Sequence, residues 1–163
     1  MTATAEESKV TCQDEPLLEQ YKLYVQMADN ASERRSKTNA YYVSVTAAIL
    51  VLAARFEWLA PADRLQAVGL MLIAMVGVLV CLVWKANVTS FRQLNSAKFK
   101  VIHEMEKRLP FPCYDREWEL LGRGADRKSY LQLTRIEGAL PVVLAVAYLL
   151  MLVIAVARLV QPS

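Results

Sequence analysis

The sequence predicts an all-α, polytopic membrane protein with three transmembrane helices and a helical cytoplasmic collar. Three observations carry this reading. The chain is 55% hydrophobic and only 21% charged, apolar for a soluble domain of 163 residues. Its apolar residues fall in three runs without a charge: Ala40–Ala54, Ala67–Trp84 and Ala139–Ala157. Between Trp84 and Pro110 no helix breaker interrupts a polar, helix-forming stretch.

Residues 1–38 read as a cytoplasmic tail and amphipathic helix. The first fifteen are acidic and polar, with no fixed structure expected, and Pro16 suits a first helical turn. Leu17, Leu18, Tyr21, Tyr24, Val25 and Ala28 then share one helical face, opposite Glu19, Gln20, Lys22, Gln26 and Asp29. That modest, weakly basic face suits packing on another helix better than lying on a membrane surface.

Residues 39–84 form a transmembrane hairpin. A span needs about 20 apolar residues at 1.5 Å per residue. The second run, of 18 residues, fits. The first run has 15 and reaches full length by continuing through "RFEWL", with Trp58 at the interface; a re-entrant segment is the alternative. Tyr41 and Tyr42 stand at aromatic-belt level, behind Arg34, Arg35 and Lys37. Pro61 and Asp63 mark the turn, Asp63 as a cap for the second span. Gly69 and Gly77 are small enough for close helix packing.

Residues 85–137 form a cytoplasmic helical extension and loop. Trp84, Val88, Phe91, Leu94, Phe99, Ile102, Met105 and Leu109 give an irregular apolar stripe, which needs a partner in water. Pro110 and Pro112 end the helix; Asp115 is a candidate cap for "REWELL", with Gly122 past its end. Thr134 and Glu137 have capping-box spacing ahead of the third span, residues 138–158, in which Pro141 is either a kink or locally accommodated. Residues 159–163 form an external tail.

Of 19 lysines and arginines, 16 precede the first span or lie between the second and third. The positive-inside rule places both segments in the cytoplasm. Without the apolar core of a signal peptide, insertion through the first span into an inner membrane is expected.

Chemical motifs are sparse. His103 is the sole histidine, and "HEMEK" lacks the second histidine of a zinc helix, so neither a metal nor a catalytic site is expected; a structural or mildly pH-sensitive histidine is. "GRGAD" matches no phosphate or dinucleotide loop. No cofactor is implied. Bases and acids alternate through the long loop, against a nucleic-acid surface. Cys12, Cys81 and Cys113 are too scattered for a disulfide framework. A pore would arise only by oligomerisation, lined by Ser44, Thr46, Gly69, Gly77 and Cys81; close packing is the preferred role for the glycines.

The segments "YKLYVQMADNASERRSKTNAYY", "SFRQLNSAKFKVIHEMEKRLP" and "YDREWELLG" together resemble the RipA-like family of small octameric bacterial inner-membrane proteins, over about residues 17–150. The resemblance implies a bacterial origin and an eight-fold assembly. It supplies no enzyme activity or ligand. Its partners are expected to be copies of itself, membrane lipids and an unidentified cytoplasmic protein. The expected role is a non-enzymatic homo-oligomeric scaffold or regulator with a partner-binding collar, and the alternative is a ring-forming channel or gated pore. For the collar, Arg92, Asn95, Lys98, Lys100, Glu104, Glu106 and Arg108 are candidate polar contacts, with Phe91, Phe99, Tyr114 and Trp118 as apolar anchors.

Overall fold

A computed structural model describes the backbone of residues 3–59, 64–124 and 133–160, and side chains over 15–59, 64–123 and 136–160. The described chain is all-helical: α1 (Ala3–Leu59), α2 (Arg64–Glu106), α3 (Cys113–Leu120), a short 3₁₀ turn (Gly122–Gly124) and α4 (Leu133–Val160). Three helices, α1, α2 and α4, are long and apolar enough to cross a membrane. Helix α1 begins at Ala3, so Pro16 lies inside it and no unstructured stretch of fifteen residues precedes it. The first span continues through "RFEWL" to Leu59, and α4 runs on through Pro141. Pro61 and Asp63 lie outside the described residues, as does the side chain of Thr134.

The chain forms two compact units, Met1–Arg34 with Phe91–Gln132, and Arg35–Ser90 with Leu133–Ser163. Arg35 and Glu137 pair with each other inside the second unit.

The second unit packs on a heptad register. Buried positions recur on α2 at Ala67, Leu70, Ala74, Gly77, Cys81, Trp84 and Val88, and on α4 at Pro141, Tyr148 and Ala155. Steps of three and four are those of left-handed helix packing. Small residues dominate the register because a bundle in lipid is held by close approach rather than by hydrophobic exclusion. A Cβ on Gly69 would collide with the Phe56 ring, and one on Gly77 with the Tyr148 ring. The Tyr148 hydroxyl donates to the Thr46 carbonyl at 2.7 Å, tying α4 to α1 across Gly77 of α2. Thr46 itself is buried and returns its hydroxyl to the carbonyls of Tyr42 and Val43. Near the α1–α2 turn, Ala53, Leu70 and Ala155 form a core with Phe56, Met71, Ile73 and Met151. There the Gln66 amide donates to the Glu57 carbonyl at 2.7 Å, satisfying one carbonyl that the end of α1 leaves open.

Polar groups frame this bundle at two levels. At one, Arg158 pairs with Glu57 at 2.8 Å. At the other, Arg35 pairs with Glu137 at 3.4 Å, and Lys85 Nζ donates to the Gly138 carbonyl at 2.9 Å. The Arg35–Glu137 contact is an ion pair without hydrogen-bond geometry: Arg35 Nε and Glu137 Oε2 are buried without a hydrogen-bond partner among the described residues. Trp84, fully buried, stacks on Tyr42 with ring centroids 5.8 Å apart and donates to Asn39 Oδ1 at 3.0 Å. Tyr42 also accepts from the Asn87 amide. Tyr41 and Trp58 point outward, 66% and 78% exposed.

Candidate interaction site

In the first unit, α1 packs against α2, and α3 folds back onto the end of α2. One side chain joins all three. Glu106 is 1% exposed. Its Oε1 accepts from the Tyr21 hydroxyl of α1 at 3.0 Å and from the Tyr114 amide at 2.7 Å, while Oε2 accepts from the Asp115 amide at 3.2 Å. The carboxylate therefore caps α3, whose own N-cap position is Pro112 with no side-chain bond. Asp115, expected as the cap, lies in the first turn instead and faces His103 Nδ1 at 3.4 Å. A negative group at a helix N-terminus meets free amides and the positive end of the dipole, which offsets the cost of burying it. Burial, and next the bond to Glu106, push the Tyr21 phenol well above its ordinary range. Burial likewise raises Tyr114, with Asp29 the largest charge acting on it.

The other end of α3 closes as its glycine suggests. Gly122 takes a left-handed φ of 63°, which a residue without Cβ adopts freely, and Arg123 follows at 52°. Arg116 and Arg123 both bond Glu119, and the Arg116 bond, followed by that of Arg123, holds its carboxyl below the usual range.

The expected interaction residues separate into three groups. Glu106 is turned inward, so its carboxylate is committed within the protomer. Asn95 and Lys98 also take the inner register of α2, Asn95 with a shielded Oδ1 and Lys98 with its ammonium 5.5 Å from the Tyr24 ring centroid. Phe91 is half-buried beside them. The rest remain at the surface: Arg92, Lys100, Glu104 and Arg108 are exposed, as are Phe99 and Trp118 at 37% each. Tyr114 is half-buried and meets Phe99 edge to face, with centroids 5.8 Å apart.

All of these but Arg92 line two clefts. A cleft of about 670 Å³ lies between α2 and α3, walled by Ser96, Phe99, Lys100, His103, Trp118 and Leu121. A second, of about 480 Å³, lies between α1 and α2, walled by Leu23, Met27, Val101, Glu104, Met105 and Arg108. Leu23 and Met27, 58% and 44% exposed, were not singled out in the sequence because they fall off the inward stripe of α1. Lys100, Glu104, Arg108 and Glu117 make no ion pair among the described residues. No group of three or more His, Cys, Asp or Glu converges as metal ligands among them either. The site offers apolar walls and unpaired charge rather than converging catalytic groups.

Comparison with known proteins gives one result. No curated protein and no solved structure matches the chain significantly. The model of the octameric membrane protein family (8xMP) matches residues 18–157, which reach into both units. Three membrane-length helices agree with a membrane-protein family. The chain is a homo-oligomeric multi-pass membrane protein and belongs to the octameric membrane protein family.

Proposed function

We propose that the protein is a non-catalytic scaffold of a bacterial inner membrane, in the narrower RipA-like group of its family. The unit built from residues 1–34 and 91–132 forms a cytoplasmic collar that holds a partner protein. The N-terminus and residues 85–137 lie on the cytoplasmic side, as the concentration of basic residues there favours.

One observation carries the choice of scaffold over pore. The weakly polar residues that a channel would turn toward its axis are used inside the protomer. Thr46 and Cys81 are each 1% exposed, and Gly69 and Gly77 lie against aromatic rings. Only Ser44 of that set is exposed, with its hydroxyl returned to the Ala40 carbonyl. Oligomerisation of this bundle brings together Leu, Val, Ile and Met side chains, a lining that sheds water.

The purified oligomer in vesicles of bacterial phospholipid tests this reading. The expected ion and small-solute flux equals that of empty vesicles. Protein-dependent flux that scales with the amount inserted overturns the scaffold in favour of the channel. Labelling of Cys113 by a membrane-impermeant maleimide in inverted but not right-side-out vesicles is the expected topology result.

A further inference from the structure

The two clefts of the first unit bear a simple relation to one another. On α2 the first is lined by Ser96, Phe99, Lys100 and His103, and the second by Val101, Glu104, Met105 and Arg108. Each member of the second set stands five residues beyond one of the first. At 3.6 residues per turn, five residues rotate the face by about 140°. The α2 walls of the two clefts are therefore two copies of one positional pattern, set on faces of the helix about 140° apart.

The family is octameric. Copies of a membrane protein inserted with one topology share the membrane normal, so only an axis parallel to that normal can relate them. A dihedral octamer would need half its copies inverted. The assembly is then cyclic, each contact joins two different faces, and the directions from one member to its two neighbours in an eight-membered ring differ by about 135°. The two α2 faces, about 140° apart, are set obliquely enough to meet the two neighbours of such a ring.

We infer that these clefts are the two halves of the subunit contact, each occupied by the next copy of this chain. The edge of α1 carrying Leu23 and Met27 seats in the cleft floored by Phe99 and Trp118 of its neighbour, the ridge of one helix entering the groove between two others. Charge agrees with the pairing. The α1–α2 face presents Glu104 and Arg108; the α2–α3 face presents Lys100 with Asp115 and Glu117. Each side thus offers an acid and a base to the other. Apolar burial supplies the affinity, and these charges set the register.

The inference rests on the collar of the scaffold reading, but its test is independent of flux. In a Cys12→Ser, Cys113→Ser background, which retains the buried Cys81, Leu23→Cys and Leu121→Cys are made on separately tagged copies and co-expressed. A short bismaleimide is expected to join one tag to the other and to give no product from either variant alone. Both substitutions on one chain are expected to give a ladder ending at eight. Met27→Cys with Ser96→Cys is the second pair, changing only exposed groups. Like-with-like products, a ladder ending at two or at any number other than eight, or no products from either pair in an intact oligomer would overturn it.

Discussion

Glu106 provides the sharpest test of how the first unit is held. Glu106→Ala removes the acceptor of three hydrogen bonds: the Tyr21 hydroxyl and the amides of Tyr114 and Asp115. Bonds to a charged group contribute about 1.5–3 kcal/mol each, and three on one carboxylate do not add in full. Relief of burying the carboxylate offsets several kcal/mol. The net loss expected for the unit is about 2–4 kcal/mol. The local effect is narrower and easier to read. Losing a helix cap costs about 1 kcal/mol, which makes the amides at the start of α3 exchange about fivefold faster. Hydrogen exchange with mass spectrometry on the detergent-solubilised protein reports Tyr114 and Asp115 directly. Glu106→Gln, which keeps one acceptor and the shape, should lie between wild type and Glu106→Ala. Unchanged protection at Tyr114 and Asp115 in Glu106→Ala would refute the capping role, whatever happened to global stability.

Tyr21→Phe should destabilise the first unit by about 1–2 kcal/mol by urea unfolding, since it removes a bond to a buried charge. It should also change the alkaline limit. The folded phenol titrates above its ordinary 10.0, so its contribution is full below about pH 10 and fades as pH rises further; the Phe variant should lack that loss. Gly77→Ala should cost about 1–3 kcal/mol in thermal unfolding because the new methyl meets the Tyr148 ring, and in a Tyr148→Leu background, itself destabilised by loss of the bond to Thr46, the further cost of Gly77→Ala should be smaller. Arg158→Ala should change stability by only about 0–1 kcal/mol, because its pair with Glu57 is about half exposed, whereas Arg35→Ala, whose pair is 17% and 15% exposed, should cost more. Phe99→Ala should loosen the oligomer more than His103→Ala when both are measured by mass in detergent; equal stability would count against the Phe99 cleft as a contact.

The spans were legible because lipid demands long charge-free runs, and three stood plainly in the sequence. The close approach at Gly69 and Gly77 was legible for the same reason: few residues other than glycine admit a ring there. The register of α2 beyond Trp84 was not. An apolar stripe assigns Leu94 and Phe99 inward, giving irregular spacing. The helix instead keeps steps of three and four through Phe91, Asn95, Lys98, Ile102 and Met105, leaving Leu94 and Phe99 on the flanks. Two of the polar side chains at inner positions have a specific partner: Tyr24 beneath Lys98, and for Glu106 the Tyr21 hydroxyl with two amides of α3. Those partners come from other helices, 85 positions away in the case of Tyr21. The α3 cap shows the same limit. A local rule chose Asp115, whereas the chain folds back and supplies Glu106.

The outward aromatics of α1 have a consequence for where the protein is at ease. Tyr41 and Trp58 stand 17 positions apart on one helix, about 25 Å along its axis. Arg35 and Glu57, which carry the polar groups at the two levels, stand 22 apart, about 33 Å. A hydrocarbon core of about 30 Å falls between the two rulers. Bilayers near that thickness place the rings at the edge of the hydrocarbon and both ion pairs at headgroup level. In a thicker bilayer the Arg35–Glu137 pair is drawn toward hydrocarbon; in a thinner one the helices tilt. The first span thus makes acyl-chain length a determinant of the assembly's stability.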